Sequence, residues 1–563
     1  MKRVVTVLME HFKRWGVDHI FGVPGKAVVP LVLEAGNQGI DYVLARHEAG
    51  AGYEAGGYAW RRGLGVAAGT SGPGGTNMIT AAGQAKVFHQ PVFFLTGHPS
   101  MKETGKPLGQ DSTFFGTDLV QMFQSVTLFS ARVERGEVLK SYLAHAVEKA
   151  VTGRRGPVHL AIPYDVLTEP IEPFELPFPE REPGTVSSRL DRVFPLLSGA
   201  QRPLLFLGKG VHLSGAYEEV RALAEGWGLP VATTPGGKGT FPTVHPLSLG
   251  SYGLGGGPEA EEYIRNGVDL LIVIGTSLSD MSLPALKPAE YPRHVIQFDV
   301  EPAFVGKSLP APTLFIQGCA KTNLQALLKE MRAFAGTGVA LAAAAIDSPA
   351  EHAGLQPAAG EAALAESGQE KAPDADAPAL TARETMGILG EVLPEEATVI
   401  GDDGSHSYHA VRHLAVKRAG SFLFDDVFAS MGHAIGYSIG AQLASPKERF
   451  VCLTGDGCLF MNGSELSTAV NSGANVIFVV LNNGRLDMVN KGMRAHVGRT
   501  DGTVFEIPLN VKGYAEAMGC RAFRCGTGDE LRRALTAALA LEETVVIEAM
   551  VDPEELPPTL ARG

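Results

Sequence analysis

Short apolar runs closed by glycine or proline recur along this chain, each followed by a longer stretch with helical spacing. This alternation constrains the fold more than any other feature of the sequence. A short apolar run without polar interruption suits a strand covered on both faces, as in a parallel sheet whose crossover connections are helices. Such runs lie at 66–68, 92–96 and 158–162, then at 203–207, 231–233, 270–274 and 295–298, and finally at 398–400, 450–454, 476–481 and 545–549. Three successive groups predict an α/β protein of three Rossmann-like domains with parallel sheets.

A chain of 563 residues exceeds what one hydrophobic core supports, which agrees with several domains. Between 336 and 379 the composition turns to Ala, Gly, Pro, Glu and Asp without apolar periodicity, as expected of a flexible linker. Thr381 and Glu384 have capping-box spacing ahead of Met386, Ile388 and Leu389, so a helix is expected to open the next domain there. Prolines and acidic residues cluster again at 170–183. The expected division is an N-terminal domain at 1–170, a central domain at 185–335, the linker at 336–379 and a C-terminal domain at 380–555.

A formal net charge of −13 excludes a broad basic surface for nucleic acid. An anionic cofactor therefore needs a metal ion or backbone N–H groups beside it. The five cysteines are scattered, without the spacing of a disulfide framework or zinc site. No apolar stretch approaches the length of a membrane span, and the expected location is the cytoplasm.

The sharpest chemical signal is in the last third. The run at 450–454 leads directly into Gly455-Asp456-Gly457, and the run at 476–481 ends in Asn482-Asn483. Ligands of parallel sheets bind beyond the carboxyl ends of the strands, where both motifs fall. The glycines let backbone approach a phosphate, while Asp456 and Asn483 offer hard oxygens suited to Mg²⁺. A lone Gly-Asp-Gly is most often an ordinary turn; the second strand and Asn-Asn, following a helical stretch at 462–470, make the combination specific.

This layout resembles the thiamine diphosphate signature. Phe21-Gly-Val-Pro-Gly25, Arg46-His-Glu-Ala-Gly50, Gly69-Thr-Ser-Gly-Pro-Gly-Gly-Thr-Asn77, Gly156-Pro-Val-His-Leu-Ala-Ile-Pro163, Gly237-Lys-Gly239 and Met461-Asn-Gly-Ser-Glu-Leu466 extend the resemblance over nearly the whole chain, to the acetolactate synthase group. The resemblance implies Mg²⁺ held by Asp456, Asn483 and the carbonyl of Arg485. It implies that Glu48 hydrogen-bonds the aminopyrimidine ring, that Met431, after Ala429, props the bent cofactor, and that Pro24, Gly25, Gly404, Ser405, His406, Gly455, Gly457 and Cys458 contact it. A carboxyl held against the ring nitrogen favours the imino tautomer needed to activate the cofactor. Read without the resemblance, Glu48 is a surface partner for Arg46 or Arg61, Met431 is core and Gly404–His406 a turn.

The same resemblance implies decarboxylation of a 2-oxo acid with ligation to a second carbonyl compound, in a homodimer or homotetramer. A 2-oxo acid decarboxylase or carbon–carbon hydrolase on the same scaffold is the alternative enzyme; a non-catalytic cofactor-binding regulatory module is the alternative of another class. Three departures bear on this, and two cationic residues are candidates for the substrate carboxylate. The family's catalytic glutamine falls on Gln110 when counted forward from Gly97, and on Phe115 when counted back from Phe123; Gln110 is the candidate. Gly492 stands where the family carries a tryptophan that narrows the acceptor pocket. The central segments 253–257 and 275–281 lack the histidine and arginine that accompany flavin, so FAD is possible but not favoured. Lys491 and Arg494, expected in a loop after the metal motif, are candidate carboxylate partners or simply solvated charges.

Overall fold

The computed structural model describes residues 1–180, 184–284, 286–335 and 380–560. The expected linker at 336–379 lies outside the described residues.

Each third of the chain builds one six-stranded parallel sheet. Their strands run fully buried through the centre, for example Val92–His98, Leu270–Ile274 and Ile477–Asn482. Both faces are covered by helices, so the cores divide above and below each sheet. The central sheet has its six strands, numbered in chain order, in the sequence 3-2-1-4-5-6, the Rossmann order. The two outer sheets share a different order, 2-1-3-4-6-5. The expectation of three alike Rossmann-like sheets is therefore refined: all are parallel α/β sheets, and the outer pair are alike.

In the outer order the chain reverses its direction of growth between the first and third strands. Connections leave that point in opposite directions, which opens a crevice at the carboxyl ends of the strands. In the C-terminal sheet the flanking strands are Thr398–Gly401 and Phe450–Gly455; in the N-terminal sheet they are His19–Val23 and Gly65–Gly69.

The N- and C-terminal domains meet along helices Glu48–Arg62 and His433–Ala444. This approach requires glycine. A Cβ on Gly57 would stand 1.9 Å from the carbonyl oxygen of Tyr437, and one on Gly440 would stand 1.8 Å from that of Glu54. The two helices thus touch through their backbones. Among the described residues no helix is long and apolar enough to cross a membrane.

The helix expected at 462–470 is two pieces, Asp456–Asn462 and Glu465–Ser472, broken at Gly463-Ser464. Helix Ala382–Val392 starts where the capping box predicts, and Thr381 Oγ1 accepts from the Glu384 N–H at 3.0 Å. A second cap comes from elsewhere: the Glu555 carboxylate accepts from the Ala382 and Arg383 N–H groups of the first turn.

Candidate active site

The C-terminal switch point carries a cleft lined by Asp403, Gly404, Ser405, His406, Met431, Gly455, Asp456, Gly457, Cys458, Asn483 and Arg485, among others. Sequence reasoning named all of these except Asp403. Two helices begin there. Ser405–His413 follows Gly404, and Asp456–Asn462 follows Gly455; neither start has a side-chain cap. Uncapped first-turn N–H groups and the positive end of the helix dipole suit an anion.

Glycine is required at the first of these starts. Gly404 has a φ of 150°, and a Cβ there would press to 2.6 Å from the His406 ring. His406 is buried with its Nε2 lacking a partner. Burial holds that imidazole down at about 4, so it is neutral near pH 7 and free to donate one N–H to a phosphate oxygen.

Asp456 is 3% exposed and begins its helix directly at the strand end. Its Oδ1 accepts from the Gly457 N–H at 2.8 Å and its Oδ2 from the Gly484 N–H at 2.7 Å. Burial, only partly offset by these amides, raises its carboxyl to about 6. The second bond comes from the residue after Asn483, so the two oxygen donors expected to share an ion sit at adjoining strand ends. Among the described residues no three His, Cys, Asp or Glu side chains cluster as a metal site. A carboxylate, an amide oxygen and a backbone carbonyl form a different donor set, hard and oxygen-only, and it fits Mg²⁺ completed by diphosphate oxygens.

Met431 enters the cleft from a loop fastened on both sides. Ser430 Oγ donates to Gln84 Oε1 of the N-terminal domain at 2.7 Å, and the Gly432 N–H donates to Asp402 Oδ1 at 2.9 Å. Ala429, two residues earlier, has a φ of 56°, a conformation that costs an alanine roughly 1–2 kcal/mol. That strain sits where the loop turns to present Met431.

Beneath this loop lies a network the motifs did not announce. Asp402 is fully buried, its Oδ1 3.2 Å from His433 Nδ1 and its Oδ2 2.8 Å from Thr454 Oγ1, which donates to it. Burial pushes Asp402 up, but the bond and charge of His433 outweigh it and hold the carboxyl below its ordinary value. For His433 burial pulls down and Asp402 pushes up, with a net rise. Asp403, next along, faces the cleft without such a partner. Burial and then the charge of Asp402 lift it to about 7. The available signal was the acidic pair Asp402-Asp403 at a buried strand end, an unusual place for two carboxylates.

Glu48 opens helix Glu48–Arg62 after the second strand of the N-terminal sheet. It is 8% exposed, and its Oε2 accepts from Asn77 Nδ2 at 2.9 Å. Its ion-pair reading is set aside: Arg61 pairs with Glu448, and Arg46 reaches Ser467. Pro24 and Gly25 lie at the N-terminal switch point, where a Cβ on Gly25 would meet Thr70 at 2.5 Å. Thr70 Oγ1 is buried without a partner. None of these residues lines the cleft around Asp456. Gln110 is exposed, with a φ of 53°, and its backbone packs near Gly72.

Lys491 and Arg494 lie on helix Asp487–Val497 rather than on a loop. Lys491 is buried, paired with Asp487 at 2.6 Å and donating to the Glu555 carbonyl; Arg494 pairs with Glu554 at the surface. In the central sheet the switch-point loops touch: the Gly210 N–H donates to the Gly275 carbonyl at 2.8 Å. A Cβ on Gly208 would stand 2.3 Å from Thr276 Cβ.

Three parallel sheets, with the last opening on uncapped helix starts beside an oxygen-only donor set, define the architecture of a diphosphate-cofactor protein. Comparison with known families agrees segment by segment. The N-terminal TPP binding domain of thiamine pyrophosphate enzymes matches residues 2–125, the central domain 190–327 and the C-terminal TPP binding domain 402–549. A "Probable acetolactate synthase large subunit" of Methanocaldococcus jannaschii is 31% identical over 567 residues, 97% of this chain and 92% of the relative. The acetolactate synthase of Mycobacterium bovis is 31% identical over 563 residues, covering 97% and 88% of the two chains. An acetolactate synthase large subunit of Lactococcus lactis is 28% identical over 564 residues, covering 98% and 92%. The chain belongs to the thiamine pyrophosphate enzymes, in the acetolactate synthase-like group.

Proposed function

We propose that this protein uses thiamine diphosphate and Mg²⁺ to decarboxylate a 2-oxo acid and join the remaining fragment to a second carbonyl compound. As a transferase or lyase it makes or breaks a carbon–carbon bond. When bound, the cofactor supplies an electron sink for bond changes beside a carbonyl. Asp456, Asn483 and the Arg485 carbonyl hold the metal against the diphosphate; Gly404, Ser405, His406 and the first-turn amides after Gly455 receive the phosphate oxygens. Met431, which lines the cleft, would support the bound cofactor. Glu48, oriented by Asn77, holds a proton at the aminopyrimidine nitrogen, and Gln110 serves the reacting carbon.

The observation that carries this reading is the buried Asp456 carboxylate, set by two amide bonds at the strand end that it shares with the Asn483 strand. Because Glu48 does not line the same cleft, we propose that the complete site pairs the Glu48-bearing face of one copy with the Asp456 cleft of another. A homodimer is then the smallest active unit, and a homotetramer the next. Its expected location is the cytoplasm.

Asp403 favours one second reading. A cleft carboxyl that keeps its proton up to about pH 7 offers a proton donor, so capture of a proton instead of a carbonyl acceptor yields a free aldehyde. Mass spectrometry of products from the Mg²⁺- and thiamine diphosphate-loaded protein given mixed 2-oxo acids and aldehydes separates the two. An acyloin-type product supports ligation and a free aldehyde supports decarboxylation. No turnover of any 2-oxo acid, with native and Glu48→Gln protein alike, leaves only a binding module.

A further inference from the structure

A second cavity, of about 460 Å³, opens beside the cofactor cleft at the seam of the central and C-terminal domains. Its walls come from the first turn of helix Pro258–Arg265, the start of Ala382–Val392, the end of Ser405–His413 and the segment 555–558. Arg383 and Arg412 enter it from different helices. Neither guanidinium has a hydrogen bond or ion pair among the described residues. His413 lines the same cavity, and after burial the largest influences on its ring are the charges of these two arginines.

One further group points the same way. His409 is 3% exposed, lines the cavity, and its Nδ1 has no hydrogen-bond partner. The carboxylates nearby are Glu259 and Glu555. Glu259 is exposed at the rim, and Glu555 is engaged by the Ala382 and Arg383 amides while lying 3.9 Å from His409 Nδ1. Burial costs the His409 imidazole its hydration with no protein hydrogen bond in return, while Arg383, exposed at the rim, and Arg412, half-buried, bring two guanidinium charges to the same cavity.

We infer that this cavity is a second anion site, built for the phosphoryl group of a small metabolite. Arg383 and Arg412 approach from separate helices, which suits a tetrahedral anion more than a planar carboxylate met along one edge. Leu556, Pro258 and Pro558 give the apolar surface an organic body needs, and the volume falls in the range of small-molecule sites. Only His409 and Glu555 belong to both cavities. Residue 555 also receives the Lys491 ammonium from the cofactor cleft, so an occupant is felt there. The inference goes beyond the thiamine diphosphate reading and does not depend on it.

The test is calorimetric titration of the full chain with inorganic phosphate, run with and without thiamine diphosphate and Mg²⁺, with malonate as a planar dianion. The expected result in both conditions is one phosphate per chain that the Arg383→Gln/Arg412→Gln double variant binds at least about tenfold more weakly, while any phosphate taken by the cofactor-free cleft is unchanged in the variant. Melting temperature and thiamine diphosphate affinity should stay unchanged in that variant. If it melts early, Arg412→Lys decides: it keeps the charge without the planar fork, and weaker phosphate binding at unchanged stability supports the site. Phosphate binding equally to wild type and variants, or not to wild type, overturns the site. Malonate binding more tightly than phosphate overturns the phosphoryl assignment.

Discussion

The N-terminal and C-terminal sheets have the same strand order, yet their switch points are furnished for different work. At the C-terminal one, two uncapped helix starts and Asp456 face an open cleft. At the N-terminal one, Gly25 packs on Thr70, and the acidic residue stands apart, at the helix start after the second strand. One gathers a buried carboxylate and uncapped helix starts in a cleft; the other holds a carboxyl oriented by an amide. The scaffold fixes where a crevice opens, and the loop residues fix what the crevice does.

Four experiments break or sharpen that contrast. The largest effect is expected from Glu48→Gln, which should lower turnover of the best 2-oxo acid by about 100-fold or more while leaving cofactor affinity nearly intact. Steady-state kinetics beside calorimetry reads both; equal loss of binding and turnover would falsify the division of labour. Next, Asp456→Ala should weaken Mg²⁺-dependent cofactor binding by about 100-fold, since even outer partners of metal ligands are worth 10–100-fold. Cofactor affinity that ignores this change removes Asp456 from the metal site.

Third, Gly440→Val should destabilise the fold by about 3 kcal/mol, because its Cβ meets backbone and no side chain can yield. Denaturant unfolding measures it, and a change below about 1 kcal/mol would mean that the helices part easily. The smallest effect concerns pH. Asp456 is raised from 3.8 to about 6, so in the metal-free fold its ionisation costs stability as pH rises through that window. The metal needs the ionised form, so Mg²⁺ affinity should fall about tenfold for each pH unit below about 6. A flat Mg²⁺ affinity between pH 5 and 7 (about one unit either side of that value) contradicts it.

The Asp402–His433 pair supplies a stability profile of opposite sense. Asp402 is lowered, so its contribution is present above its ordinary 3.8 and is lost as pH falls through its folded value. His433 is raised, so its contribution is complete below 6.5 and is lost as pH rises through its folded value. Native stability attributable to the pair should therefore peak between these limits, and thermal melts of wild type against His433→Phe across pH should show the difference shrinking on both sides.

The central strands were legible because burial on both faces leaves no polar interruption, and at 203–207 and 270–274 the expected limits match the observed strands. Edge strands were not. Phe129–Arg132 and Ser248–Ser251 carry no apolar run, and in Asp41–Leu44 the Tyr-Val-Leu run follows an exposed aspartate and buries one residue only. Most residues that line the C-terminal cleft were visible because their motifs are local in sequence. The Asp402–His433–Thr454 network and the bond from Gln84 to Ser430 join distant segments, so no spacing betrays them. The glycine contact between helices Glu48–Arg62 and His433–Ala444 was not read from the sequence either, because only the folded chain shows which helices meet.

That meeting limits how the molecule can vary. Where two helices already touch carbonyl to glycine, even a single methyl is too large, so the joint admits no intermediate sizes. Change at Gly57 or Gly440 has to come with a shift of the opposing helix, and Glu48, seated at the head of one of them, moves when the joint moves.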